Sequence, residues 1–239
     1  MAMAEMAQKS AGKENQMRNE LRETVKQFLE QFEGCKIKGV NIGDEINRKL
    51  FSLSCFVAEA RSGVSRDRYS QMIEYLPEAE GPARIVKQLF TLGCGIAIIQ
   101  GKSEIDSDVY EILKKIGKDT LPSHRNLILQ KMWRMEMLGD SWEKTRTLSG
   151  HFSYPVTTTK MQLEDLMILK LANRKDMEDS PEDEDSSYRK QEVRPYYWQL
   201  SDKCCELIKT SEVYDIEDDS WDFGTDEEGV NKQSPGIGI

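Results

Sequence analysis

Apolar residues recur every three or four positions along much of the chain, with polar residues between them. This is the period of helices that pack by one face. Met17, Leu21, Val25, Phe28, Leu29 and Phe32 make the first such stripe, which closes near Gly34. Residues 34–43 carry three glycines and predict a loop. Asp44 is placed to cap a second helix with Ile46, Leu50, Leu53, Val57 and Ala60 on its stripe, ending before Gly63. Residues 63–80 lack a helical period and predict an extended connector with a short strand around Met72–Leu76. Pro82 opens a third helix that runs to about Ile99, since the first helical position tolerates proline. The second half of that helix, GCGIAII, is apolar all round and predicts deep burial. Asp106 or Ser107 caps a fourth helix bearing Val109, Ile112, Leu113 and Ile116, and residues 117–120 close it.

A second unit begins at Leu121-Pro122-Ser123. Its pattern predicts a helix to about Met137 that Gly139 stops, a short helix over 140–148 and a turn at Ser153-Tyr154-Pro155. A helix from Thr157 to Leu169 follows, with Leu163, Leu166 and Met167 inward. Strands over 170–176 and 193–200 come next, then a helix from Ser201 to Thr210 with a Ser-Asp start. Residues 1–16 read as a disordered arm, 17–120 as a helical bundle, 121–210 as the second unit and 211–239 as an acidic disordered tail. There is no internal repeat.

Charge changes this picture. The 239 residues carry a formal net charge of −9, but the acids are clustered. Residues 176–185 hold seven acids and no base, and residues 212–228 hold nine acids and no base. Outside those two segments 26 acids face 33 bases, so the rest of the chain is net +7. A basic body suits a polyanion, and acidic segments can shield such a surface; the plain alternative is that both runs are solvated loops. Five cysteines without framework spacing favour a reducing, cytoplasmic setting. No apolar run is longer than that of Ile96–Ile99, which is short of the ~20 residues of a membrane span, and the N-terminal residues hold no apolar signal core.

Familiar catalytic motifs do not fit. GCGIAIIQGKS places five residues between Gly95 and Gly101 where a P-loop has four, and its Lys-Ser ends a helix when it should begin one. No C-x-x-C is present, Cys204 and Cys205 are adjacent, and His124 and His151 are far apart, so no metal site is expected. Neither G-x-S-x-G nor H-E-x-x-H occurs. The expectation is a chain with no catalytic residues, no metal and no cofactor.

Two segments carry resemblances. In the first half, Gly81-Pro82-Ala83-Arg84 and Glu104-Ile105-Asp106-Ser107-Asp108-Val109 resemble the helical lid of AAA+ ATPases, especially the MCM helicases. In that family an arginine at a helix N-terminus reaches the nucleotide γ-phosphate. The resemblance gives Arg84 this nucleotide-sensing place, although no ATPase core accompanies it in this chain. The alternative for Arg84 is a surface or salt-bridging residue of an ordinary bundle. In the second half, YPVTTTKMQLEDLMILKLANRKD and YYWQLSDKCCELI resemble the recognition helix, wing strands and closing helix of bacterial winged-helix regulators. Together with ARSGVSRD and EYLPE upstream, the whole resembles the C-terminal region of bacterial and phage-type AAA+ ATPases. The implied fold class is mainly α, a helical lid-like bundle followed by a winged helix-turn-helix with a small β wing. Two departures stand out: the wing carries the first acidic run, and Leu169-Lys170-Leu171 replaces the glycine expected after the recognition helix.

The resemblance implies a non-enzymatic module that binds double-stranded DNA, associated with an AAA+ ATPase core in cis or in trans, with no membrane partner. Thr157, Thr158, Thr159, Lys160 and Gln162 offer hydroxyls, a cation and an amide to phosphates and base edges. Arg174, Lys175, Arg189, Lys190 and Arg194 bracket the wing and add phosphate contacts. The competing expectation is an adaptor whose winged helix and acidic tail dock a partner protein.

Overall fold

The apolar stripe of residues 44–60 is the axis around which the chain packs. A computed structural model describes residues 12–70, 72–74, 81–139, 142–152, 154–176 and 196–214. Among them the chain is mainly helical, with a small sheet. The helices are α1 (Glu14–Glu30), α2 (Asp44–Ala60), α3 (Pro82–Ile99), α4 (Ser107–Asp119), α5 (Ser123–Leu138), α6 (Thr145–Phe152), α7 (Val156–Ile168) and α8 (Asp202–Ser211). The strands are β1 (Asn41–Ile42), β2 (Glu104–Ile105), β3 (Glu143–Lys144), β4 (Ala172–Asp176) and β5 (Tyr196–Leu200).

Helix α2 buries Leu50, Leu53, Phe56 and Val57 against α3, α4 and α8. Each fully buried side chain of this size contributes roughly 1.5–3 kcal/mol. The core runs on without a break through Ile128 and Leu129 of α5, Leu163 and Leu166 of α7, and Trp198 of β5. The expected start signals hold with one change. Asp106 accepts from Val109 N–H at 3.0 Å and Ser201 accepts from Cys204 N–H, as N-caps do. At α2 the cap is Gly43, and Asp44 is the first helical residue.

Several elements differ from the expectation. Helix α1 starts at Glu14, inside the segment read as an arm, and none of its residues is buried. The short helix lies at Thr145–Phe152, five residues later than expected, because β3 occupies 143–144 and pairs with β5. Two-residue strands carry no periodicity, and neither β3 nor the parallel β1–β2 pair was legible. The GCGIAII half of α3 is not deeply buried: Gly93, Cys94 and Ala97 face the core, while Ile96 is half-buried and Ile99 is exposed. By length and composition alone α3 is apolar enough to cross a membrane; here one of its faces packs on α2 and α4.

The chain also stays packed beyond residue 210. Ser211, Val213 and Tyr214 are buried. The expected tail boundary at 211 falls inside α8, and the rest of that expectation, residues 215–239, lies outside the described residues.

Close packing makes two neighbouring glycines of α3 differ. A methyl group on Gly93 would sit 2.9 Å from Ile105 Cδ1 and 3.0 Å from Leu113 Cδ1, both fully packed, whereas one on Gly95 meets nothing within 4 Å. Gly95→Ala should therefore stabilise the protein by about 0.5–1 kcal/mol through helix propensity. Gly93→Ala should destabilise it by about 1 kcal/mol or more through overpacking. Urea midpoints of the two variants give the comparison, and equal shifts would refute the close α3–β2–α4 contact.

Candidate nucleic-acid interface

Residues 123–211 run helix, strand, helix, helix, strand, strand, helix, and the three strands form an antiparallel sheet in the order β3-β5-β4. Gly139 closes α5 with φ +89°, a left-handed turn that suits glycine. Trp198 is fully buried and donates from Nε1 to Thr145 Oγ1 at 2.8 Å, which fixes β5 to the start of α6. Helix α7 packs Leu163 and Leu166 inward, so its first turn projects beside the sheet.

That first turn is only partly available. Thr157 is exposed, Thr158 and Gln162 are half-buried, and Thr159 is 1% exposed. The assignment of Thr159 to a surface contact is thereby corrected: its side chain belongs to the core side of α7, and its hydroxyl has no hydrogen-bond partner in the described structure. Lys160 is 40% exposed at its side chain, 3.9 Å from Glu164, and its Nζ lies 4.9 Å from the centre of the Tyr196 ring. Arg174 lies over the same ring at 4.5 Å. The two cations flanking α7 thus share one aromatic seat.

The other face of the sheet carries a second set. Lys144, Tyr197 and Lys175 stand in register across β3, β5 and β4. Lys175 Nζ is 4.3 Å from the Trp142 ring and 5.9 Å from Tyr197, and Lys144 Nζ is 5.7 Å from Tyr197. Cation–π contacts at exposed sites contribute about 0.5–1 kcal/mol each. They hold the long stems in place while the charges stay hydrated. Trp142, Lys144, Tyr196 and Tyr197 were not named as site residues from the sequence. The alternation of YYWQL could have shown Tyr197 leaving the face that Trp198 buries, but nothing in the sequence aligns Lys144 with it. Arg189, Lys190 and Arg194 lie outside the described residues.

Comparison with known proteins adds no assignment. No protein-family model, curated protein or solved structure matches this chain.

The remaining chemistry is sparse. Arg84 is exposed on the first turn of α3, behind Gly81 and Pro82. Among the described residues no group of three or more His, Cys, Asp or Glu is placed to hold a metal ion. Burial pushes the Cys205 thiol up to about 11 and raises Cys55, Cys94 and Cys204 as well, so these four stay protonated near neutral pH. Burial also lowers the pKa of His151, with Lys131 nearby adding to the effect. An open groove of about 560 Å³ lies between α2, α3 and α8, lined by Arg48, Phe51, Val86, Lys203 and Leu207 among others. It contains none of the residues expected from the sequence to form a site.

One buried ion cluster ties α7 to the first half of the chain. Arg66 donates to Asp165 Oδ1 from Nε at 3.0 Å and from Nη2 at 2.6 Å, and also from Nη2 to Met161 O at 3.2 Å. Arg125 of α5 lies 3.7 Å from the other Asp165 oxygen and donates to Ala60 O and Ser62 O at 2.7 Å each. Asp165 and Arg125 are both buried.

Proposed function

We propose that this chain is a non-enzymatic module that binds double-stranded DNA through a winged helix-turn-helix, with α7 as the recognition helix and the β4–β5 connection as the wing. The observation that carries the reading is the placement of Lys160 and Arg174 on the Tyr196 ring, which puts two cations at the junction of α7 and the sheet. The helix and strand order of residues 123–211, with sheet order β3-β5-β4, supports it. Cations at such a junction meet phosphates on either side of a groove that holds the helix. The resemblance of the first half to an AAA+ lid makes an ATPase core, in cis or in trans, the proposed associate, with Arg84 facing its nucleotide.

Fluorescence anisotropy with a random duplex of about 30 base pairs, at low and moderate salt, tests this reading. Lys160→Ala with Arg174→Ala should weaken binding roughly 10–100-fold and lower the salt slope by about two. A chain ending at Tyr214 should bind more tightly than the full chain, because nine acids of 212–228 become one. Unchanged affinity in the double variant would show that the docking surface is elsewhere.

One feature favours the adaptor reading. Met17, Leu21, Val25, Phe28 and Leu29 of α1 are all exposed among the described residues, and a 17-residue helix is marginal in water unless its apolar face is covered. Salt-insensitive binding to a protein, with no DNA affinity at low salt, would select that reading.

A further inference from the structure

The open groove of about 560 Å³ between α2, α3 and α8 has an apolar floor. Phe51 of α2, Val86 of α3 and Leu207 of α8 supply it, one side chain from each helix. Val86 and Leu207 are half-buried, but Phe51 is left 57% exposed. Covering such a ring with a second apolar side chain removes both surfaces from water. The charged residues lining the groove are two cations, Arg48 and Lys203, and one acid, Glu206. Arg48 is exposed, and Lys203 also bonds Glu59. Such a lining fits an acidic segment that carries an aromatic side chain.

The acidic run of residues 212–228 starts beside this groove. Its first member is already seated on α2: Lys49 Nζ donates to Glu212 Oε2 at 2.9 Å, and Lys49 is next in sequence to Arg48. Thr210, two residues before Glu212, lines the groove. Tyr214 is the last of the described residues, and four residues of chain place it within about 14 Å of Thr210. The sequence then continues over 215–228 with eight acids, no base, and Trp221 and Phe223 among the acids. Seven extended residues span up to about 25 Å. The groove runs along α8 from Thr210 to Lys203, about 10 Å of helix. Residues 215–221 are therefore long enough to bring Trp221 to any part of it.

We propose that the groove between α2, α3 and α8 is a docking site for the chain's own acidic segment 215–228, with Trp221 on the Phe51 floor and its neighbouring carboxylates at Arg48 and Lys203. Charge and shape favour this occupant: the segment pairs acids with an aromatic anchor, and the groove pairs cations with an open ring. Continuity favours it as well, since the Lys49–Glu212 pair already holds the start of the same acidic run on α2. The tether favours it over a second copy, because a short linker keeps the effective concentration of the segment near the millimolar range. An arginine fork suits a carboxylate, and a large aromatic ring is the usual anchor of such a contact. The inference stands apart from the duplex reading, because the groove holds none of the residues assigned to DNA.

The test follows chymotrypsin cutting after Trp221 and Phe223 in the full chain by mass spectrometry. The free peptide of residues 215–228 is the unprotected standard. Cutting should be roughly 5–10-fold slower in the full chain than in the peptide, because cleavage tracks the undocked fraction. Phe51→Ala should remove most of that protection, and so should Arg48→Glu, which sets a carboxylate against the acids. Both side chains are exposed, so thermal melts of the two variants should match that of the unaltered chain. Equal cutting of the full chain and the peptide would overturn the proposal. Protection that survives both variants would place the segment elsewhere and overturn it too. Protection that fades on dilution would mean that the groove takes the segment of a second copy, which overturns docking within one chain.

Discussion

Replacing Asp165 with alanine should cost about 3–5 kcal/mol of folding stability, the size of loss seen when one member of a buried ion pair is removed. Asp165 is the counter-ion of two arginines that come from different parts of the chain, Arg66 in the segment after α2 and Arg125 of α5. Burial lowers the pKa of Arg125, and Asp165 opposes that shift. Without the carboxylate, the Arg125 guanidinium keeps its bonds to Ala60 O and Ser62 O but loses the negative charge it faces on α7, and its Nε has no partner among the described residues. A chain of this length loses about 2–4 °C of melting temperature per kcal/mol, so the variant should melt roughly 10 °C lower. Asp165→Asn keeps an acceptor and should lose less. Urea unfolding followed by tryptophan fluorescence measures both. A loss below about 1 kcal/mol for Asp165→Ala would mean that water takes over the cluster.

Removal of the Tyr214 ring should be nearly as damaging. The ring packs edge-on against Phe56 at 5.8 Å, and its hydroxyl donates to Asn126 Oδ1 at 2.7 Å. Tyr214 thus bridges α2 and α5, and Tyr214→Ala should cost about 3–5 kcal/mol. Tyr214→Phe, which loses only the hydroxyl, should cost about 1 kcal/mol. Ending the chain after Thr210 should cost at least the alanine loss relative to a chain that ends after Tyr214. Equal stability of the two truncated chains would contradict the packing of residues 211–214.

These two residues show where sequence reading stops. The helices of 82–99, 107–119 and 123–138 were legible to within a residue or two, because glycines, prolines and an aspartate cap punctuate a strong period. Asp165 was not legible as a core residue. A carboxylate at that position reads as solvent-facing, and its partner Arg66 is 99 residues away in sequence. Thr159 fails for the opposite reason: its neighbours Thr157 and Thr158 are polar and accessible, and only the rotation of α7 against the core turns Thr159 inward. Helix α1 kept its stripe but not its burial, since the pattern records an apolar face and not what covers it.

The missing glycine after α7 is instructive. The resemblance placed a glycine at 169–171, and Lys170 adopts φ +60°, the left-handed conformation that glycine takes most easily. Its carbonyl accepts the Ser201 hydroxyl at 2.8 Å, and Leu171 N–H returns to Leu166 O. The left-handed turn is held here by hydrogen bonds, with a lysine where a glycine would be less strained. The basic surface was half legible in the same way. Lys160, Arg174 and Lys175 were named, but their aromatic seats on β5 and the companion Lys144 arise from strand pairing that no single segment encodes.

The packing of α8 on α2 has a consequence for synthesis on the ribosome. Residues 44–60 emerge about 150 residues before the helix that covers them, which at roughly 5–20 residues per second leaves them waiting on the order of ten seconds or more. During that interval the side of α2 that packs on α8 lacks its partner. The nascent N-terminal half therefore keeps part of the apolar stripe of α2 uncovered until α8 is made. A chain stalled or clipped before α8 would keep that stripe exposed however well its earlier helices had formed.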